Sequence, residues 1–306
     1  MACVGEVCQK SVFIIPHYRD ASEKIGLKDK VCLVTGSTSG IGKATALGLA
    51  RLGATVIVVA RDESRGQETL EYINKESNGP PGHLFIADLS EIDSIKNLCK
   101  EFKNQFERLD VLINNAGVVT QHGKNTTDGI DTLFAVNYIA PFLLTNLLLD
   151  LLKSSAPSRI INVSSSAHGY GNIDFNDVQS RKKGAWRAYG DSKLALLLFS
   201  YELAKRLEGT GVTVNALHPG VISTNLISGR ESSLSRGFLR AISSPFLRSP
   251  QKGAEPSVYL ASSPEVEGIT GKYFDKLREQ KSSERSYDEE AGKKLWQVGA
   301  DLTAMK

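Results

Sequence analysis

Tyr189 and Lys193 stand four residues apart in a segment whose apolar positions continue through Leu194, Leu197, Phe199 and Leu203. A helical period puts both on one face, with Cβ atoms about 5–6 Å apart. A phenol with a free pKa of about 10 is a poor acid or base at neutral pH. An ammonium about 4 Å away would favour the phenolate by up to about 4 kcal/mol at an effective dielectric near 20, a ceiling of roughly 3 pKa units. Such a pair can move a proton at pH 7. The same spacing also occurs on ordinary exposed helices, so the chemistry has to be argued from what surrounds it.

Upstream, Val31 to Thr35 is a β-favouring run that ends in Gly36-Ser37-Thr38-Ser39-Gly40-Ile41-Gly42, and a helical pattern (Ile41, Ala44, Leu47, Ala50) opens directly behind it. Three glycines in this spacing let the backbone turn tightly and approach a pyrophosphate without a Cβ in the way. The first N–H groups of the helix then face the ligand, where the helix dipole favours negative charge. A strand from Thr55 to Ala60 completes a βαβ unit. Strand, turn, helix and strand in this order predict dinucleotide binding, with Gly36, Ser37, Ser39, Gly40, Ile41 and Gly42 as the phosphate cradle.

The second strand ends in Ala60-Arg61-Asp62. An acid at its end would accept from the adenosine ribose hydroxyls of NAD and repel the 2′-phosphate of NADP. Ala60 supplies no carboxylate, and the planar fork of Arg61 suits a phosphate, so NADP(H) is favoured over NAD. The plainer role for Arg61 is an ion pair with Asp62. A third strand, His83 to Ala87, ends in Asp88-Leu89, where a carboxylate can accept from the adenine amino group. Helix capping, its plainer role, fits Ser90 better. A fourth strand, Leu109 to Ile113, runs into Asn114-Asn115-Ala116-Gly117, expected as a wall near the adenine ribose. A helix from about Ile130 carries Asn137 in its middle and Pro141 four residues on, which predicts a local break. A fifth strand, Arg159 to Val163, ends in Ser164-Ser165-Ser166, and a sixth, Val212 to Leu217, leads to His218-Pro219-Gly220-Val221 and Thr224.

The loop Thr35-Gly36-x-x-x-Gly40-Ile41-Gly42, the string Asn114 to Gly117, and Tyr189-x-x-x-Lys193 behind a serine-ended strand together resemble the short-chain dehydrogenase/reductase family, over roughly Lys30 to Phe274. The resemblance implies a catalytic set of Asn137, Ser165, Tyr189 and Lys193, with Ser164 as the fallback serine. Ser165 and Tyr189 would bond the substrate carbonyl oxygen, and Tyr189 would supply the proton while hydride passes from the nicotinamide. Lys193 would also hold the nicotinamide ribose, and Asn137 a water through its carbonyl. An Arg placed as Arg61 is marks NADP(H) in that family, although some such members add a basic residue where this loop has Ser39. Asp88 and Leu89 would flank the adenine, and Asn115, Ala116 and Gly117 the ribose. Pro219 and Gly220 would turn against the nicotinamide, with Val221 (through its backbone) and Thr224 bonding its carboxamide. His218 reads as a packed or bridging residue. The run Phe142 to Leu152 often sits at a dimer interface in this family, which allows a homodimer.

The 24-residue step from Ser165 to Tyr189, together with Ala167-His168-Gly169, Arg61-Asp62, Ser154 to Pro157, Pro264 to Glu267 and Gly271 to Phe274, is similar to the pattern of the retinol dehydrogenase and lipophilic-carbonyl reductase branch. That likeness implies reversible reduction of an apolar aldehyde or ketone. Two other readings stand beside it: a nucleotide-binding scaffold or sensor without useful turnover, and an NAD-linked alcohol dehydrogenase. Members of the branch usually carry an N-terminal membrane anchor, for which residues 1–28 offer no apolar run of the required length.

The chain of 306 residues is 41% hydrophobic and 23% charged, enough for one α/β domain with a substantial core. We expect a single-domain, Rossmann-type doubly wound fold with a seven-stranded parallel sheet, an N-terminal arm over 1–28 and a catalytic domain over 29–306. A substrate lid is expected at about 225–250. There Leu234, Phe238, Ile242 and Phe246 recur every four residues beside Arg230, Arg236, Arg240 and Arg248. This is either a plain lid or a basic amphipathic surface making peripheral membrane contact, and Pro245 interrupts the pattern. A net charge of +3 is too balanced for nucleic acid as main partner. No run approaches the roughly 18 apolar residues of a membrane span. Cys3, Cys8, Cys32 and Cys99 have neither metal-ligand nor disulfide spacing, so the expected setting is a reducing cytoplasm.

Overall fold

The computed structural model describes residues 26–119, 122–220 and 249–305. The arm up to residue 25, Val221, Thr224 and residues 225–248 of the expected lid lie outside the described residues, as do Cys3 and Cys8.

The chain alternates strand and helix: β1 (Val31–Val34), α1 (Gly40–Arg51), β2 (Thr55–Ala60), α2 (Glu63–Ser77), β3 (His83–Ile86), α3 (Ile92–Gln105) and β4 (Val111–Asn114). A short helix α4 (Thr132–Phe134) runs through a π-helical turn, Ala135–Ile139, into α5 (Ala140–Leu147) and then α6 (Leu149–Ser154). Next come β5 (Ser158–Val163), α7 (Ala185–Arg206), β6 (Val212–His218), α8 (Pro250–Ser262), β7 (Lys272–Asp275), β8 (Arg278–Gln280) and α9 (Glu289–Thr303). The sheet order is β3-β2-β1-β4-β5-β6-β7-β8. Seven strands are parallel as expected, and β8 adds an antiparallel edge by pairing Phe274 with Glu279.

Strand alternation feeds two cores. Leu33, Ile57, Val59 and Leu112 point to one side of the sheet, where α3, α5, α7 and α9 contribute Phe102, Phe142, Phe199 and Leu295. Cys32, Val34, Val56, Val58, Val111 and Ile113 point to the other, against Leu47, Leu49 and Tyr259 of α1 and α8. A period of two in strands that are apolar throughout is what a sheet covered on both faces requires. The order reverses between β1 and β4, and a crevice opens at their carboxyl ends.

One helix start shifts from the sequence expectation, and the expected break takes a specific form. The helix expected from Ile130 starts at Thr132, because the Asp131 carboxylate caps the N–H groups of Leu133 and Phe134. The break at Asn137 is a π turn in which the Ala140 N–H reaches back to the Ala135 carbonyl. Pro141 has no N–H to offer the Asn137 carbonyl, so a regular α ladder cannot pass this point.

The apolar face of α5 packs against α9 of the same chain. Trp296 lies 5.1 Å from Phe142 and 5.8 Å from Phe199 (ring centroids), with the Arg206 guanidinium over its indole, and the Tyr138 hydroxyl donates to the Leu295 carbonyl at 2.7 Å. Leu295 is fully buried at the centre of this contact. Leu295→Ala should lower unfolding stability by about 2–5 kcal/mol, read as a fall in urea midpoint at unchanged slope.

Candidate active site

The crevice has a volume of about 680 Å³ and runs from Arg61 past the glycine turn to Tyr189 and Gly220. Gly36 and Gly40 sit at φ +64° and +52°, a region that L residues avoid. A Cβ on Gly36 would lie 2.9 Å from the Ala116 Cα, and one on Gly42 would press into the Gly36 carbonyl. The turn is held from beneath. The Thr35 hydroxyl accepts from the Asn115 and Ala116 N–H groups, both at 3.0 Å, and the Asn115 amide donates to the Thr35 carbonyl at 2.8 Å. Asn114 works away from the crevice, donating to Thr145 and to Asn162, which in turn donates to Ser200. The two amides thus stitch buried elements together, and only Asn115, Ala116 and Gly117 line the crevice.

Of the predicted cradle, Gly36, Ser39, Gly40, Ile41 and Gly42 line the crevice and Ser37 does not. Its hydroxyl is fully buried against β2, accepting from the Val59 N–H at 3.1 Å. Thr38, not singled out in the sequence, takes a lining position instead. A glycine cradle with no room for side chains, opening into a long crevice, fits a dinucleotide.

At the Arg61 end of the crevice, Asp62 does not pair with Arg61. It caps α2, accepting from the Arg65 N–H at 2.9 Å. Arg61, 77% exposed, lies 3.8 Å from Asp88. Asp88 accepts from both the N–H and the hydroxyl of Ser90, so Ser90 is not the cap of α3; the Ile92 N–H is met instead by Asp128 at 3.0 Å. Leu89 lines this end, and so does Arg65, one helical turn beyond Arg61 and overlooked in the sequence.

At the other end, Tyr189, Lys193, Ser165, Pro219 and Gly220 share the crevice wall. The Ser165 hydroxyl accepts from the Ala167 N–H at 3.2 Å and lies near enough to the Tyr189 phenol to lower its pKa. The Ser164 hydroxyl turns away to donate to the Lys193 carbonyl at 3.1 Å. Asn137 is fully buried: its side chain accepts from the Val118 N–H at 2.8 Å and donates to the Val118 carbonyl and to the Ser192 hydroxyl. The Ser166 N–H donates to the His218 ring at 3.3 Å, a bridge between the ends of β5 and β6.

The electrostatics differ from the sequence expectation. The Lys193 ammonium donates to the Val163 carbonyl at 2.9 Å and lies 5.8 Å from the Tyr189 ring centroid. Burial pushes the phenol up to about 12, against a smaller lowering by the nearby Ser165 hydroxyl, and burial pushes the ammonium down to about 8. Desolvation penalises whichever form is charged and is the leading cause at both groups, so the expected lowering of the phenol pKa does not arise. The walls around Tyr189 are apolar: Val118, Val119, Val136, Tyr170 and Trp186. They come from loops and helix starts without periodicity, so no sequence pattern marked them.

Residues 30–234 match the family model for short chain dehydrogenase. Retinol dehydrogenase 14 of Mus musculus is 45% identical over 283 residues, covering 88% of this chain and 84% of that one. Retinol dehydrogenase 13 of Mus musculus is 45% identical over 315 residues, covering 100% and 93%. Among solved structures, the Pseudomonas aeruginosa RhlG/NADP active-site complex superposes with a TM-score of 0.64 at 27% identity, covering 82% of this chain and 96% of that one. Among the described residues no helix is long and apolar enough to cross a membrane.

A buried ammonium at this position costs stability. Its pKa falls from an ordinary 10.5 to about 8, so the penalty is full below pH 8, on the order of 3 kcal/mol. It fades between pH 8 and 10.5, where the unfolded chain still binds a proton that the folded chain has released. Lys193→Met should therefore unfold at higher denaturant concentration than the parent at pH 7, and the advantage should shrink across that window.

Proposed function

The chain belongs to the short-chain dehydrogenase family and is an oxidoreductase; from that premise we propose that it reduces an apolar aldehyde or ketone to the alcohol, reversibly, with NADP(H) as cofactor. The observation that carries the reading is the Tyr189 phenol, which shares a crevice wall with Ser165 and Lys193 in the same crevice as the Gly36–Gly42 turn. Retinol dehydrogenases at 45% identity favour a lipophilic substrate, as does the apolar wall around Tyr189.

When bound, the dinucleotide supplies the hydride. Ser165 and Tyr189 donate hydrogen bonds to the substrate oxygen, where negative charge develops, and Tyr189 then gives up its proton. A phenol raised to about 12 is protonated at pH 7, yet it is still a far stronger acid than an alcohol, so transfer to the nascent alkoxide runs downhill. Lys193 stabilises the phenolate left behind and holds the nicotinamide ribose. Asn137 holds a water through the carbonyl that Pro141 cannot bond, while its side chain is fixed by Val118 and Ser192. At the other end, Arg61 takes the 2′-phosphate beside Arg65; its chain neighbour Asp62 is already used in capping, and its long contact with Asp88 at 3.8 Å, on an exposed side chain, yields to the phosphate. Asp88 and Leu89 receive the adenine, and Pro219 and Gly220 back the nicotinamide.

With NADPH absorbance as readout and a panel of lipophilic carbonyls, Tyr189→Phe should lose about 10²–10⁴-fold in kcat/KM while NADPH affinity stays within threefold. Near-normal turnover in that variant would sink the assignment. Arg61→Ala should weaken NADPH at least tenfold more than NADH. The free-enzyme profile of kcat/KM for reduction should fall as pH rises through about 8, where Lys193 loses its charge. That limb should vanish in Lys193→Arg, whose guanidinium stays charged.

A further inference from the structure

Three residues separate Tyr189 from Lys193, and each has its own task. The Ser192 hydroxyl receives the Asn137 amide and donates to the Tyr189 carbonyl at 2.8 Å, so it fixes the backbone behind the phenol. Gly190 is a glycine inside a buried helix, where alanine would be the more stable choice. The reason lies outside the helix. A Cβ on Gly190 would stand 2.5 Å from Cε2 and 2.7 Å from Cδ2 of Tyr170, and one on Gly171 would stand 2.5 Å from the Gly190 carbonyl. The Tyr170-Gly171 segment therefore lies directly on α7, in a space kept open by two missing side chains.

Asp191 fastens it there. Buried at the start of α7, its carboxylate accepts from the Asn172 N–H at 2.7 Å, from the Ser180 hydroxyl at 2.6 Å and from the Lys183 ammonium. Arg285 donates to the Gly171 carbonyl at 3.0 Å from the far side. The fastened ring keeps 41% of its surface exposed and lines the crevice beside Tyr189, together with Trp186 and Val118. A large aromatic side chain so tightly positioned, and yet left open to the crevice, is a wall awaiting a contact.

We propose that Tyr170 is a specificity-determining residue: its ring, seated on Gly190 and held by the Asp191 clasp, forms an apolar wall against which the chain of a long or flat lipophilic carbonyl lies. This rests on the crevice being a carbonyl-reduction site. The ring contributes area along the substrate chain and nothing to the reacting oxygen, so it discriminates long substrates from short ones.

The test compares octanal with propanal as substrates, and measures binding of octanamide, an unreactive carbonyl, by calorimetric titration of the full chain. Tyr170→Ala should weaken octanamide binding at least fivefold and lower the octanal-to-propanal ratio of kcat/KM at least tenfold, through KM for octanal. Tyr170→Phe, which keeps the ring, should hold both within twofold. Gly190→Ala, which leaves Tyr170 intact but displaces it, should raise KM for octanal in the same direction. Equal losses for both aldehydes, octanamide binding unchanged in Tyr170→Ala, or no octanamide binding to the parent chain would each overturn the proposal. If neither aldehyde turns over while octanamide binding still depends on Tyr170, the wall stands and the carbonyl-reduction reading falls.

Discussion

A lysine ammonium and a phenol have been taken out of water one helical turn apart, and much of the site follows from that constraint. Burying Lys193 is unfavourable unless its protons find acceptors, and the Val163 carbonyl at the end of β5 supplies one. That contact ties α7 to the sheet edge where the serine turn begins, so the donor of the ammonium's neighbour, Tyr189, faces the crevice together with Ser165. The same burial raises the phenol further above its ordinary pKa, so the neutral form is the one the site holds. On the proposed reading that neutral phenol is the proton donor for a newly formed alkoxide, and the stability cost falls on the buried ammonium beside it.

The other end of the crevice is built on a different economy, in which side chains are removed and not added. The glycine turn can approach a pyrophosphate only because Gly36 and Gly42 present backbone alone. Backbone without side chains needs outside support to stay rigid, and Thr35 and Asn115 give it by joining the ends of β1 and β4. Those strands flank the point where the sheet order reverses. The crevice therefore opens at the one place where neighbouring strands send their following loops to opposite faces.

The start of the apolar run of α5 is covered within the chain. Trp296 of α9 packs against both Phe142 and Phe199, and the Phe142 ring lies 3.0 Å from where a Cβ on Gly299 would stand. The Phe142 end of the run that the family likeness offered for a partner subunit is covered by the chain's own last helix, brought there by the turn through β8, while Leu147, Leu149 and Leu151 stay partly exposed. That strand was invisible in Arg278-Glu279-Gln280, a short polar edge with no buried face of its own.

The sequence by itself determined whatever depends on local order along the chain. The glycine spacing, the period of two in the strands, the four-residue step from Tyr189 to Lys193 and the proline after Asn137 each dictate a backbone geometry, and the parallel sheet and its crevice follow from them. Tertiary structure alone decided what depends on environment. Ser37 looked like its loop neighbours but turns into β2. Asp62 looked like a partner for Arg61 but caps a helix. Tyr170 sits nineteen residues before the phenol it stands beside. The direction of the Tyr189 shift also reversed, because attraction between two charges can be read from their spacing, whereas the cost of desolvating them depends on everything packed around them.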